Sequence, residues 1–127
     1  MLGDKLKAIA LETNPDLSIV DVEVLLLKDG VLTIELDCSN GKIVITSDDS
    51  IGHRVLDEGD LLEFWPNCAL TNGWLYEIGS GGWKDLEATR GGFLSGDSEE
   101  LSEYLVVTEN TCVNLISYKK PRVSYVT

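Results

Sequence analysis

Apolar and polar positions are most regularly ordered between residues 18 and 47. Ile19, Val20, Val22, Val24, Leu25, Leu26 and Leu27 lead into Lys28-Asp29-Gly30, and an Asp-Gly pair between apolar runs is a strong hairpin signal. Val31 to Cys38 then alternates with period two. Leu32, Ile34, Leu36 and Cys38 point one way; Thr33, Glu35 and Asp37 point the other. Ser39-Asn40-Gly41 makes a second tight turn, and Ile43-Val44-Ile45-Thr46 supplies a third strand. The stretch therefore predicts a three-stranded antiparallel meander.

Residues 1–12 show the one clear helical spacing. Leu2, Leu6, Ile9 and Ala10 share a face, with Asp4, Lys5, Lys7 and Glu12 opposite. Thr13-Asn14-Pro15-Asp16 ends that helix, because the residue before a proline is pushed out of the α region. Downstream the signals shorten. Ile51–Leu56 lies between the polar turns 47–50 and 57–60, and Leu61–Trp65 reads as a strand stopped by Pro66. Trp74–Ile78 comes next, then the glycine-rich Gly79-Ser80-Gly81-Gly82 and a long loop. Asp97 and Glu100 have capping-box spacing, which predicts one helical turn near Ser98–Ser102. Tyr104–Thr108, Cys112–Tyr118 and Arg122–Val126 read as closing strands. The expected class is α+β, mainly antiparallel β: an N-terminal helix packed on a hairpin and meander sheet of about seven or eight short strands. No βαβ crossover is visible, which removes the usual nucleotide-binding topologies.

The chain has 127 residues, which predicts one domain over 1–127. It carries 22 Asp/Glu against 10 Lys/Arg, a formal charge of −12. A folded surface of roughly 6,700 Å² then holds about one carboxylate per 300 Å². Such a surface repels phosphates and argues against direct binding of nucleic acid or anionic lipid. No apolar run approaches a membrane span, and the first residues lack the layout of a secretory signal. Three irregularly spaced cysteines, Cys38, Cys68 and Cys112, fit reduced thiols and a cytoplasmic protein.

Candidate chemistry is sparse. His53 is the one histidine, and no cysteine-protease signature surrounds any cysteine. One His and three scattered Cys make no zinc spacing, and Asp57–Glu63 lacks the ligand alternation of a calcium loop. Gly79–Asp85 fails the Walker pattern, and Leu94-Ser95-Gly96 lacks the glycine of a nucleophile elbow. The expectation is a non-enzyme with no catalytic residues, no metal and no cofactor.

Two features remain. Trp65, Trp74 and Trp83 recur every nine residues, and Trp83, flanked by glycines and Lys84-Asp85, is the best candidate for an exposed ring. Charge is also uneven: seven acids against Arg54 in residues 43–83, seven against Arg90 in 85–118, then a basic Lys119, Lys120 and Arg122. Acids in the turns gather into a candidate partner-binding set of Asp48, Asp49, Asp57, Glu58, Asp60, Glu63, Asp85, Glu87, Asp97, Glu99 and Glu100, with Trp83 as anchor.

This profile resembles the immunity proteins of bacterial polymorphic-toxin and contact-dependent growth inhibition systems; the nearest texture is Gly73-Trp74-Leu75-Tyr76-Glu77-Ile78 with Gly81-Gly82-Trp83 and Gly92-Phe93-Leu94. The resemblance implies an inhibitor of one cognate basic toxin domain, commonly a nuclease, held by carboxylates and aromatic anchors. Two other readings are an acidic nucleic-acid mimic that inhibits a DNA-binding protein, and a small-ligand-binding β domain.

Overall fold

A computed structural model describes residues 5–13 and 18–126. Nine strands form two antiparallel sheets. In chain order they are β1 (Lys7–Glu12), β2 (Ile19–Lys28), β3 (Val31–Cys38), β4 (Gly41–Ser47), β5 (Ser50–Asp57), β6 (Leu75–Ser80), β7 (Ser102–Val106), β8 (Thr111–Ser117) and β9 (Arg122–Val126). The first sheet has the order β1-β6-β7-β8-β5, the second β2-β3-β4-β9. A single short helix, α1 (Trp83–Glu87), and three 3₁₀ turns lie in the connections.

The meander forms as β2, β3 and β4. Asp29 at φ 53° and Gly30 at φ 79° build the two-residue turn, whose left-handed pair matches the twist of the strands it joins. Leu32, Ile34, Leu36 and Cys38 are buried, as period two requires, while Asp37 is exposed. Together with Ile19, Ile43 and Ile45 they pack against Trp74, Leu75, Tyr104, Val106, Val113 and Leu115 of the other sheet and its approach. This is the sandwich core. Buried Ser47 and Ser117 hydroxyls, 3.3 Å apart, join the sheets where the chain crosses between them.

The first sheet is covered on its second face as well. Tyr76, Ile78, Leu105, Val107 and Cys112 point away from the sandwich core and meet Leu61, Phe64 and Cys68 from the segment between β5 and β6, with Leu6 beside them. Two-sided cover explains why β7 and β8 are buried almost without a break; strands packed on both faces lose the alternation of a half-solvated sheet.

The α+β class with an N-terminal helix is overturned. Lys7–Glu12 is an edge strand paired with β6, Ala8 opposite Ile78 and Ala10 opposite Tyr76. An isolated helix of about twelve residues is marginal in water. The edge of β6, by contrast, offers a row of backbone groups that β1 satisfies. Leu6 then reaches the outer core, and Ile9, assigned to the buried face of a helix, is exposed. Leu2, Asp4 and the stop at Asn14-Pro15-Asp16 lie outside the described residues. Leu61–Trp65 is also no strand: two 3₁₀ turns, Glu58–Asp60 and Leu62–Phe64, fold it over the sheet. The turn placed near Ser98–Ser102 lies earlier, at Leu94–Asp97.

Candidate functional site

The predicted acids fall into three groups. Asp48 and Asp49 sit in the β4–β5 turn beside the basic C-terminal strand. Arg122 donates to Asp48 through both Nε and Nη2, at 3.2 and 3.0 Å, and Lys119 lies 3.4 Å from Asp49. Asp85 accepts the Gly81 N–H at 2.7 Å. Glu87 accepts from Arg90 and from the Trp83 indole, and these bonds hold its carboxyl below the ordinary value. These four acids are occupied within the fold. Asp97, Glu99 and Glu100 are exposed in and after the last 3₁₀ turn.

Asp57, Glu58, Asp60 and Glu63 behave differently. All four are exposed where β5 turns into the covering segment, and none has a Lys or Arg partner within 4 Å among the described residues. The Asp57 carboxylate caps the first 3₁₀ turn by accepting the Gly59 N–H at 2.9 Å. Leu62 stands among them with 70% of its surface in water. An apolar side chain that exposed, ringed by carboxylates, was not singled out from sequence. Its neighbour Leu61 is fully buried, and the preference between two adjacent leucines appears only with the tertiary fold.

Beside this acidic turn lies a cavity of about 260 Å³. Val107 and Thr108, both buried, form its floor; half-buried Trp65, Ala69 and Leu70 form the walls; exposed Glu58 and Glu109 stand at the mouth. The Trp65 indole N–H donates to the Glu58 carbonyl at 2.9 Å and so fixes that wall. Glu109 was not in the predicted set, since nothing in the sequence brings it to Glu58. The fold does so by pairing the ends of β5 and β8: the Glu58 N–H donates to the Asn110 carbonyl at 2.7 Å.

The second concentration of polar groups is buried. Glu103, on the outer face of β7, is 1% exposed. Its carboxylate accepts the N–H groups of Trp83 and Lys84, at 3.0 and 2.7 Å, and the Asn114 amide at 3.3 Å. Asn114 in turn accepts from Arg54 Nε at 2.8 Å, and the Arg54 guanidinium lies 5.5 Å over the Trp83 ring. The chain of contacts closes on itself. It fastens α1 to the sheet through its first N–H groups, which have no partner within the helix. Burial raises the Glu103 carboxyl above its ordinary value, against the bonds from Lys84 and Trp83. Burial likewise lowers Arg54. Trp83, predicted as an exposed anchor, is half-buried and committed to this network.

Gly82 is the hinge of that attachment. A Cβ there would lie 2.7 Å from both Glu103 carboxylate oxygens and 2.8 Å from Ile78 Cγ2. Gly82→Ala is expected to cost about 1–3 kcal/mol by forcing these groups apart, measured by urea unfolding. Gly91→Ala, which meets nothing within 4 Å, is its control and should change little.

The three regularly spaced tryptophans thus have three fates: Trp65 walls a cavity, Trp74 is buried in the sandwich core, and Trp83 stacks on a cation. Cys38, Cys68 and Cys112 are free and buried. Desolvation pushes the Cys68 thiol up to about 12 and Cys112 to about 11, so both stay protonated at neutral pH. Among the described residues no cluster of His, Cys, Asp and Glu could hold a metal, and no helix is long and apolar enough to cross a membrane. No family model, curated protein or solved structure matches the chain.

Proposed function

We propose that this protein is an immunity protein: a non-enzymatic, cytoplasmic inhibitor that binds and neutralises one cognate basic toxin domain, of which nucleases are the commonest kind. The observation that carries the reading is the acidic turn. Four exposed carboxylates with no Lys or Arg within 4 Å among the described residues share one segment with an exposed Leu62, and one of them, Glu58, lines an adjoining cavity. Apolar anchors within a polar rim are the general anatomy of protein interfaces, and carboxylates not engaged in a direct ion pair leave their field available to a partner. The free, buried cysteines support a reducing compartment. The binding set of this reading contracts to Asp57, Glu58, Asp60 and Glu63, with Leu62, Trp65 and Glu109 added. Trp83, Asp85 and Glu87 serve the fold instead.

The test is co-expression with a candidate toxin domain, taken from the reading frame next to this one. Protection of the cells, with a one-to-one complex that weakens as salt rises, is the expected result. A toxin that kills regardless of this protein overturns the reading. Competition with duplex DNA for several unrelated basic proteins would favour the nucleic-acid mimic instead.

A further inference from the structure

The cavity beside Trp65 has a chemistry that specifies more than a basic partner. Its volume, about 260 Å³, falls just below the 300–1,000 Å³ typical of ligand and cofactor pockets and leaves room for a side chain. The polar side-chain groups inside it are already used. The Thr108 hydroxyl donates to the Thr111 carbonyl at 2.6 Å and accepts the Asn110 N–H at 3.0 Å. The Trp65 indole N–H is held by the Glu58 carbonyl. What the interior offers an occupant is therefore apolar surface. At the mouth the order reverses: Glu58 and Glu109 stand there, and among the described residues no Lys or Arg lines the cavity. The Glu109 carboxylate accepts from the Ser18 hydroxyl, at 3.2 Å.

We propose that this cavity receives one apolar side chain of the partner protein, from a segment that places Lys or Arg on either side of it. The apolar tip packs against the half-buried Trp65, Ala69 and Leu70, while the flanking cations meet Glu58 and Glu109. The inference rests on the partner-binding reading and adds the partner's local sequence character to it. Charge complementarity commits the flanks; the closed hydrogen bonds of the interior commit the tip.

The experiment titrates the ¹⁵N-labelled full chain with capped tripeptides Arg-Leu-Arg, Arg-Ala-Arg and Glu-Leu-Glu, following the Trp65 indole signal and the amides of Leu70 and Val107. Arg-Leu-Arg should shift these signals saturably. Arg-Ala-Arg should bind about tenfold more weakly for want of the buried methyl groups. Glu-Leu-Glu should not saturate. The Glu58→Gln, Glu109→Gln double variant should weaken Arg-Leu-Arg about threefold, as exposed ion pairs do. Ala69→Phe, which fills the cavity, should abolish the shifts; should that variant fail to fold, the double variant carries the test. Equal affinity for Arg-Ala-Arg, saturation by Glu-Leu-Glu, or shifts confined to other residues would overturn the proposal. So would the same signals moving with protein concentration alone, which would assign the cavity to a second copy. The two readings fail separately. A toxin domain bound equally well by wild type and Ala69→Phe removes this inference and leaves the immunity reading; tripeptide binding without toxin protection does the reverse.

Discussion

Replacing Glu103 by alanine is expected to lower stability by about 3–5 kcal/mol, the usual cost of removing one member of a buried charged network. The loss has three sources. Trp83 and Lys84 keep N–H groups with no acceptor, Asn114 loses its partner, and the Arg54 cation loses one of the negative charges that act on it. A domain of this size has only about 5–15 kcal/mol to lose. The denaturant midpoint should fall accordingly, and the α1 segment should exchange its amide protons faster than the sandwich core. A midpoint within experimental error of wild type would show that the loop closes over the sheet without this clamp.

The same residue gives a pH signature. Its carboxyl is raised above the ordinary value near 4.5 because burial penalises the charged form. A raised folded pKa means that the native state holds a proton which the unfolded chain has released. The contribution of Glu103 is thus most favourable at low pH. It declines as pH rises from the ordinary carboxylate value through the folded one. Glu103→Gln remains neutral at every pH, so the difference between the two unfolding free energies should change across that window and level off above it. A constant difference would place the folded carboxyl at its unperturbed value.

The second large effect concerns association. Changing Asp57, Glu58, Asp60 and Glu63 together to Asn, Gln, Asn and Gln is expected to slow binding to the basic toxin domain by about 10- to 100-fold at low ionic strength. Most of that difference should vanish as the Debye length shrinks to about 3 Å near 1 M salt. Asn at position 57 keeps the cap on the first 3₁₀ turn, so stability should hardly move. The matching control is Asp48→Asn with Asp49→Asn. Those carboxylates already face Arg122 and Lys119, and their removal should leave the association rate within about twofold, in line with the small effect of compensated surface charges. Stopped-flow mixing of the two variants with the toxin domain measures both. Equal slowing by both variants would assign the effect to net charge and not to the acidic turn.

Much of the second sheet was legible from residues 18–47, because β2, β3 and β4 are joined by two-residue turns and one face of the meander meets water. The period two of β3 and the Asp29-Gly30 pair are local quantities, and they persist in the fold, whereas β2 carries two register shifts against β3. The first sheet was harder for a physical reason. Its outer face is covered by the segments after β5 and β6, so the buried positions of β7 and β8 lose their alternation. β1 was misread because Leu6, Ile9 and Ala10 satisfy a helical spacing as readily as an edge strand. The free edge of β6 that decides between them lies more than sixty residues away in the chain.

The candidate site divides along the same line. An excess of twelve negative charges follows from composition, and with it the expectation that phosphate-rich partners are disfavoured. Which acids are spent inside the fold is another matter. Only the pairing of β4 with β9 brings Asp48 within reach of Arg122, and only the junction of β5 with β8 sets Glu58 and Glu109 around one cavity. Glu103, one more carboxylate in a run of acids by sequence, became the buried clamp of the structure because its strand faces the first turn of α1. Charge is additive along a chain, whereas neutralisation and burial depend on distances that only tertiary contacts fix.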